Sequence, residues 1–236
     1  MNIIDLVVVI FLGLGLVIGW YHGSVRAAAN VGAVLLAMVI GLSFHGVMAR
    51  SVLAQQKIVP QLIYYSESDE FLKDVETVRI QVDTLTPERL DTLLEDVSLP
   101  YPVESRLRTN LESKAFAAEG LTMLGEYLSM TIAHMTVNIV CFIILFVLSL
   151  IVLFLVVRAL DVTLIFPVLR YGDGLVGAAA GLVASALLLF ALEMLVPVGL
   201  SFVPFEELRT IVENASTSSL FYHSNFLLAL MKGVIA

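Results

Sequence analysis

Four stretches of this chain are apolar with few polar interruptions. Ile3 to Trp20 is broken only by Asp5 near its start. Ala27 to Met48 is interrupted by Asn30, Ser43 and His45. Ile132 to Val157 carries His134, Asn138, Cys141 and Ser149, and Gly174 to Val198 carries Ser185 and Glu193. Each is about eighteen residues or longer, enough to cross a hydrocarbon core of about 30 Å at ~1.5 Å per residue. Nothing alternates with period two over about ten residues, so a membrane β-barrel is not expected. The pattern predicts an all-α, polytopic membrane protein. Transmembrane helices 1 and 2 fall within residues 1–48, and transmembrane helices 3 and 4 within residues 130–198. Residues 49–129 form a helical extracytoplasmic insert between spans two and three, and residues 199–236 a short helical tail.

The periodicity changes inside the insert. Thr86-Pro87-Glu88 is a helix start: a capping hydroxyl, proline at the first helical position and an acid in the first turn. Leu90, Leu93, Leu94 and Val97 then recur on one face, opposite Arg89, Asp91, Glu95 and Asp96. Leu99-Pro100-Tyr101-Pro102 breaks this helix. A second is expected from about Pro102, with Leu107 and Leu111 inward and Glu104 paired to Arg108. Val78, Ile80 and Val82 alternate with polar residues as a short strand would. Helices this short bury little by themselves, so their apolar faces are expected on the outer rim of the bundle or on lipid headgroups. In the tail, Val203-Pro204-Phe205-Glu206-Glu207 starts a helix, Ser216 to Ser219 is a polar break, and Phe221 to Met231 is apolar but too short to span. Asn214-Ala215-Ser216 fits a glycosylation acceptor, which carries meaning only in a secretory-pathway host.

Composition supports the membrane class: 59% hydrophobic and 14% charged residues, with mean hydropathy +0.95. The net charge of −8 argues against nucleic acid as a partner. The single cysteine, Cys141, excludes an intramolecular disulfide and any cysteine-based metal or redox motif. No Lys or Arg precedes Arg26, so a cleavable signal peptide is not expected. Charge also sets orientation. The link between spans one and two carries His22 and Arg26 and no acid, and that between spans three and four carries Arg158 and Arg170 beside Asp161 and Asp173. The positive-inside rule places both links in the cytoplasm, giving an N-out, C-out protein. The insert, with eight Lys and Arg against fourteen Asp and Glu, then lies on the other side.

Two sets of residues are candidates for function. The first is small: Gly15, Gly19 and Gly23 on span one, Ala29, Ala33, Ala37 and Gly41 on span two, and Gly177, Gly181 and Ser185 on span four. Small residues every fourth position let helices approach closely, either within one bundle or at a homo-oligomer or partner interface. The second is polar. With the topology applied, Asp5, His45, His134 and Glu193 reach the outer membrane face from four helices, with Asn138 one turn below His134. Two carboxylates and two imidazoles suit a proton-responsive or metal-binding vestibule; alternatively, each marks a helix end wetted by headgroups. No spacing singles out a metal set, a nucleophile and base, or a cofactor, so no enzyme activity is expected. Arg170-Tyr171-Gly172-Asp173 lacks the first glycine of the Gly-x-Gly-Asp element of intramembrane aspartyl proteases. Asp173 is instead expected to cap span four, with Arg26 and Arg158 as cytoplasmic anchors and Arg158 paired to Asp161.

These residues also resemble the colicin V production protein (CvpA) family. The resemblance lies in Asp5, in Gly19-Trp20-Tyr21-His22-Gly23-Ser24-Val25-Arg26, and in Asp173-Gly174-Leu175-Val176-Gly177-Ala178-Ala179-Ala180-Gly181. It covers all four spans, and the acidic insert looks like that of longer members. The chain departs from the pattern at His22, Ala27, Gly174 and Ala184-Ser185, where members often carry charged residues. The resemblance implies a multi-pass protein of the bacterial inner membrane, linked to toxin production or export and to envelope homeostasis. It would act as a non-catalytic scaffold or assembly factor that contacts the bilayer, further copies of itself or an envelope protein. Some relatives anchor an extracytoplasmic protease on this unit; the tail here is expected to be too short for one. The alternative reading is a small transporter or channel component with the polar vestibule at its outer mouth.

Overall fold

The computed structural model describes residues 2–55, 57–66, 71–72, 74–97, 99–159, 172–202, 210–212 and 214–231. Asp161, Arg170 and the helix start expected at 203–207 lie outside them. In chain order the α-helices are α1 (Ile3–Leu53), α2 (Ile58–Tyr65), α3 (Val75–Val78), α4 (Pro87–Asp96), α5 (Val103–Glu112), α6 (Leu124–Ala159), α7 (Asp173–Glu193), α8 (Val196–Phe202), α9 (Ser216–Ser218) and α10 (Phe226–Leu230). Among the described residues, three helical stretches are long and apolar enough to cross a membrane: Ile3–Leu53, Leu124–Ala159 and Asp173–Phe202.

The 51 residues of α1 are not one rod. Gly23 adopts φ 74° and ψ 170°, a region open essentially to glycine alone, and it divides the helix into two arms. The first arm lies antiparallel on α7. Gly15 meets Gly181 and Ser185, Gly19 meets Gly177, and Gly23 meets Asp173. The second arm lies antiparallel on α6. Arg26 and Asn30 share a cleft with Phe154 and Arg158, Gly41 meets Phe142, and Ala49 clusters with Val137 and Cys141. Outward from these contacts the helices are apolar: Val7, Ile10, Val17, Val39, Leu148 and Leu155 are all exposed. Such a surface is a liability in water and a requirement in lipid.

Helix α6 begins at Leu124, eight residues before the expected start of span three. The reason is protein cover. Its 36 residues extend ~54 Å, well beyond a ~30 Å hydrocarbon core. Leu124, Leu128, Ile132, Met135 and Ile139 are buried on its N-terminal half, whereas Val147, Leu148, Ile151 and Val152 are exposed on its C-terminal half. The insert supplies the cover. Thr86 caps α4 by accepting from the Arg89 N–H at 3.4 Å, and Leu90, Leu94 and Val97 turn inward. Leu107 and Leu111 of α5 are buried in the same core as α6 and the tail residues Tyr222 and Leu228. The insert therefore packs on the α6 stem.

Two local expectations change. The strand expected through Val78, Ile80 and Val82 is reduced to one antiparallel bridge, Gln81 to Met123. Asp74 caps the α3 turn by accepting from the Glu76 N–H, which draws Val78 into helix, and a 3-10 turn takes Val82–Thr84, so only Ile80 and Gln81 are left to lie along the start of α6. Val78 then packs over Gly125, where a Cβ would stand 2.6 Å from its Cγ1. Arg108 pairs with Asp91 on α4 rather than with Glu104 on its own helix. The two amphipathic helices face each other, and that shortens the cross-helix route.

Candidate functional site

The Gly23 turn has a chemical consequence. A break in a helix leaves the N–H groups of the next turn without intrahelical partners. Asp173 supplies one: its Oδ1 accepts from the Ser24 N–H at 2.8 Å and from the Ser24 hydroxyl. The expected cap of α7 thus serves the second arm of α1 instead, placing a carboxylate at that arm's positive end. The glycine seam holds the two helices this close. A Cβ at Gly181 would lie 2.8 Å from the Gly19 Cα, and one at Gly177 would lie 2.9 Å from the Gly23 carbonyl carbon. Gly15, Gly19, Gly23, Gly177 and Gly181 are therefore consumed inside the chain, backbone against backbone.

Beside this seam, the two arms, α6 and α7 leave an open cleft. Its inner part is about 340 Å³ and apolar, with Phe11, Ile18, Val34, Ala184 and Leu188 among its walls. An adjoining part of about 380 Å³ is lined by His22, Arg26, Asn30, Phe154, Val157 and Arg158. The two parts share His22, Asn30 and Phe154.

The four outer polar residues each have a separate environment. Asp5 is 8% exposed, and its Oδ1 accepts from the Thr217 N–H at 2.9 Å and the Thr217 hydroxyl at 2.8 Å. Its Oδ2 accepts from the Asn2 N–H at 3.3 Å. His45 Nδ1 lies 2.8 Å from the Leu42 carbonyl of its own helix. His134 stands edge-on to Phe116, with ring centroids 5.3 Å apart. Glu193 is half-buried at the end of α7 and has no hydrogen-bond or ion partner among the described residues. Asn138 turns to its own helix, donating to the His134 carbonyl at 2.9 Å. Among the described residues no group of three His, Cys, Asp or Glu side chains is placed to hold a metal ion.

Several tethers carry no sequence signal of comparable strength. Asn225 donates to the Phe190 carbonyl at 2.8 Å, and its Oδ1 accepts from the Leu227 N–H at 3.0 Å. Asparagine directly before Phe-Leu-Leu is a readable helix cap, but its reach to α7 is not. Arg106 donates through Nη2 to the carbonyls of Leu228 and Met231, at 3.1 and 2.9 Å, closing the end of α10. Its Nη1 is buried without a partner, and burial pushes this guanidinium below its ordinary pKa. Asn110 of α5 donates to the Thr131 hydroxyl of α6 at 2.9 Å, a buried bond between insert and stem. Between α5 and the tail lies a further cleft of about 490 Å³, with Tyr101, Glu104, Arg108, Leu200 and His223 among its walls. No protein-family model matches the chain, and no curated protein or solved structure matches it either.

Proposed function

We propose that this chain is a four-span protein of the bacterial inner membrane, N-out and C-out, that works as a non-catalytic scaffold or assembly factor. One observation carries this reading. The carboxylates Asp5 and Asp173 and the tail residue Asn225 fasten one chain segment to another, Asp5 to Thr217, Asp173 to Ser24 and Asn225 to the Phe190 carbonyl, while His45, Asn138 and Ser185 bond to carbonyls of their own helices. In a hydrocarbon environment such groups mark function or internal glue, and here glue accounts for them. The helical cap on the α6 stem is then the surface offered to an envelope partner. A colicin V production-type role, in toxin production or export and envelope homeostasis, is part of the proposal. The two segments that carry that resemblance, residues 19–26 and 173–181, are the ones that pack on each other.

Cysteine accessibility tests the topology. Cys141 is buried, so an introduced thiol at exposed Glu112 or His22 is the main reporter. In intact cells, a membrane-impermeant maleimide is expected to label Glu112→Cys and to reach His22→Cys only after the membrane is opened. Labelling of both from outside rules out the four-span arrangement. In-cell crosslinking from Glu112→Cys is expected to capture one specific envelope protein.

A transporter or channel component is the second reading, and Glu193 favours it because no described group neutralises this acid. The two readings separate on Glu193→Gln and His134→Ala. A scaffold retains crosslinking to its partner in both variants from mildly acidic to mildly basic medium, and liposomes show no solute or proton flux. Flux that is lost in Glu193→Gln would establish transport instead.

A further inference from the structure

We infer that residues 217–228 form a re-entrant segment of the outer leaflet, entering and leaving the bilayer on one side, with Leu220 and Phe226 against lipid acyl chains. The sequence admits such a segment. Between Asn214 and Met231 there is no Asp, Glu, Lys or Arg, yet the apolar part is too short to span. Packing sets its depth. Phe221 is buried against Val8 of α1 and Leu189 of α7, with Phe11, Leu12 and Ala186 packed around them. At the far end of the same helix pair Trp20 meets Gly174, and an exposed tryptophan marks headgroup level. Measured from there at ~1.5 Å per residue, Val8 and Leu189 stand about 18 and 22 Å along a hydrocarbon core of ~30 Å. Phe221 therefore lies about 8–12 Å inside the opposite boundary, and any helix tilt places it deeper.

The chain turns at this depth and comes back. Thr217, before the turn, is held by Asp5 at the start of α1. Asn225 and Phe226, after it, are held at Phe190, by the bond to its carbonyl and by rings with centroids 5.1 Å apart. Backbone that turns inside hydrocarbon must have its polar groups met by protein. Asp5 takes the Thr217 N–H, and a π-helical turn runs over Ser219–His223. Asn225 Oδ1 takes the N–H groups of Leu227 and Leu228, and Arg106 of the insert takes the carbonyls of Leu228 and Met231. The His223 ring lies against Tyr101 of the insert, with centroids 5.9 Å apart. Leu220, next to the deepest point, is 60% exposed, and Phe226 is 40% exposed. The same stretches of α1 and α7 expose Val7 and Leu192, so the two tail side chains extend an apolar surface already present at that depth. Lipid acyl chains are the occupant that covers all of it.

The inference rests on the membrane reading above, and the choice of leaflet on the N-out orientation, but not on the scaffold role. Power saturation of nitroxide labels tests it, on Leu220→Cys and Phe226→Cys in the full Cys141→Ser chain reconstituted in phosphatidylcholine vesicles. Both labels are expected to collide with oxygen and to lose collisions with a water-soluble nickel complex, down to the level of Val7→Cys. Glu112→Cys, exposed on the insert, marks the aqueous level. Nickel access like that of Glu112→Cys overturns the re-entrant segment. So does shielding from both reagents, which would put a second copy on this face. The unsubstituted chain gives a second readout that no folding defect can blur. Photolysis with a phosphatidylcholine carrying a diazirine at mid-chain is expected to leave adducts on Leu220 or Phe226, within the tryptic peptide 210–232. Adducts on α7 without any on that peptide sink the re-entrant segment alone. Nickel access at Val7→Cys, together with no adduct on α1, α6 or α7, sinks the membrane reading with it.

Discussion

Gly181→Leu is expected to leave no monodisperse folded protein. A Cβ at this position would lie 2.8 Å from the Gly19 Cα and 3.0 Å from the Gly19 N, with the Gly15 carbonyl oxygen nearer still. All three are backbone atoms, so no side chain can turn aside. Overpacking costs about 1–3 kcal/mol where neighbours yield, and backbone on both sides puts this case at or above the top of that range. Against a total stability of ~5–15 kcal/mol, and with Gly15, Gly19 and Gly177 sharing the seam, the first arm of α1 should separate from α7. Gly13→Leu and Gly32→Leu are the matched controls. Nothing lies within 4 Å of a Cβ at either, and leucine is the better helix former by up to about 1 kcal/mol. Fluorescence-detected size-exclusion chromatography with a thermal ramp in mild detergent separates the outcomes. The controls should elute and melt like wild type, while Gly181→Leu aggregates. If the stripe served only an interface between copies, Gly181→Leu would give a stable monomer, and that result refutes the seam.

The seam was legible in the sequence because its signal is local. Glycine spacing survives on the page regardless of what it meets, although spacing alone left open whether the partner was another copy. The apolar stretches and the Thr86-Pro87 helix start are legible for the same reason: length and short-range order decide them. Hydropathy does not locate the start of α6. It measures avoidance of water and cannot separate burial in lipid from burial under protein, so Leu124 to Thr131, covered by the insert, fell outside the expected span. The polar positions raise a different question. Topology assigned Asp5, His45, His134 and Glu193 to one membrane face, but depth says nothing about direction. His45 satisfies its own helix, and Asp5 finds a residue more than two hundred positions away. Asp173 illustrates the same limit at short range. A carboxylate before a helix reads as that helix's cap, and only the backward turn at Gly23 shows that a different helix needs it more.

Asp5→Ala should release the tail. The Asp5 carboxylate holds Thr217 by two bonds, at 2.9 and 2.8 Å, and its removal leaves that N–H and hydroxyl in a half-buried place without a charged acceptor. Hydrogen bonds to an ionised acceptor are about twice as strong as neutral ones, and a stranded donor adds its own desolvation penalty. The remaining tethers flank this segment, Asn2 to the Ile211 carbonyl before it and Tyr222 to the Tyr101 carbonyl, Asn225 to Phe190 and Arg106 to the end of α10 after it, so the loss is local to residues 214–221. Amide exchange of that segment is expected to accelerate about tenfold or more in Asp5→Ala. Asp5→Asn, which keeps an acceptor oxygen, should accelerate it less, and the exchange of α6 should stay unchanged. Thr217→Val removes the hydroxyl bond from the other side and should reproduce part of the effect. Because both substitutions act on one contact, the double variant should exchange no faster than Asp5→Ala alone. Additive effects would mean that Asp5 acts elsewhere, and a pH-dependent phenotype of Asp5→Asn without tail release would return this residue to the outer vestibule. Coupling between Asp5 and Thr217 leaves the vestibule without its span-one member, and with that the case for a proton path through the outer face rests on Glu193 and the two histidines alone.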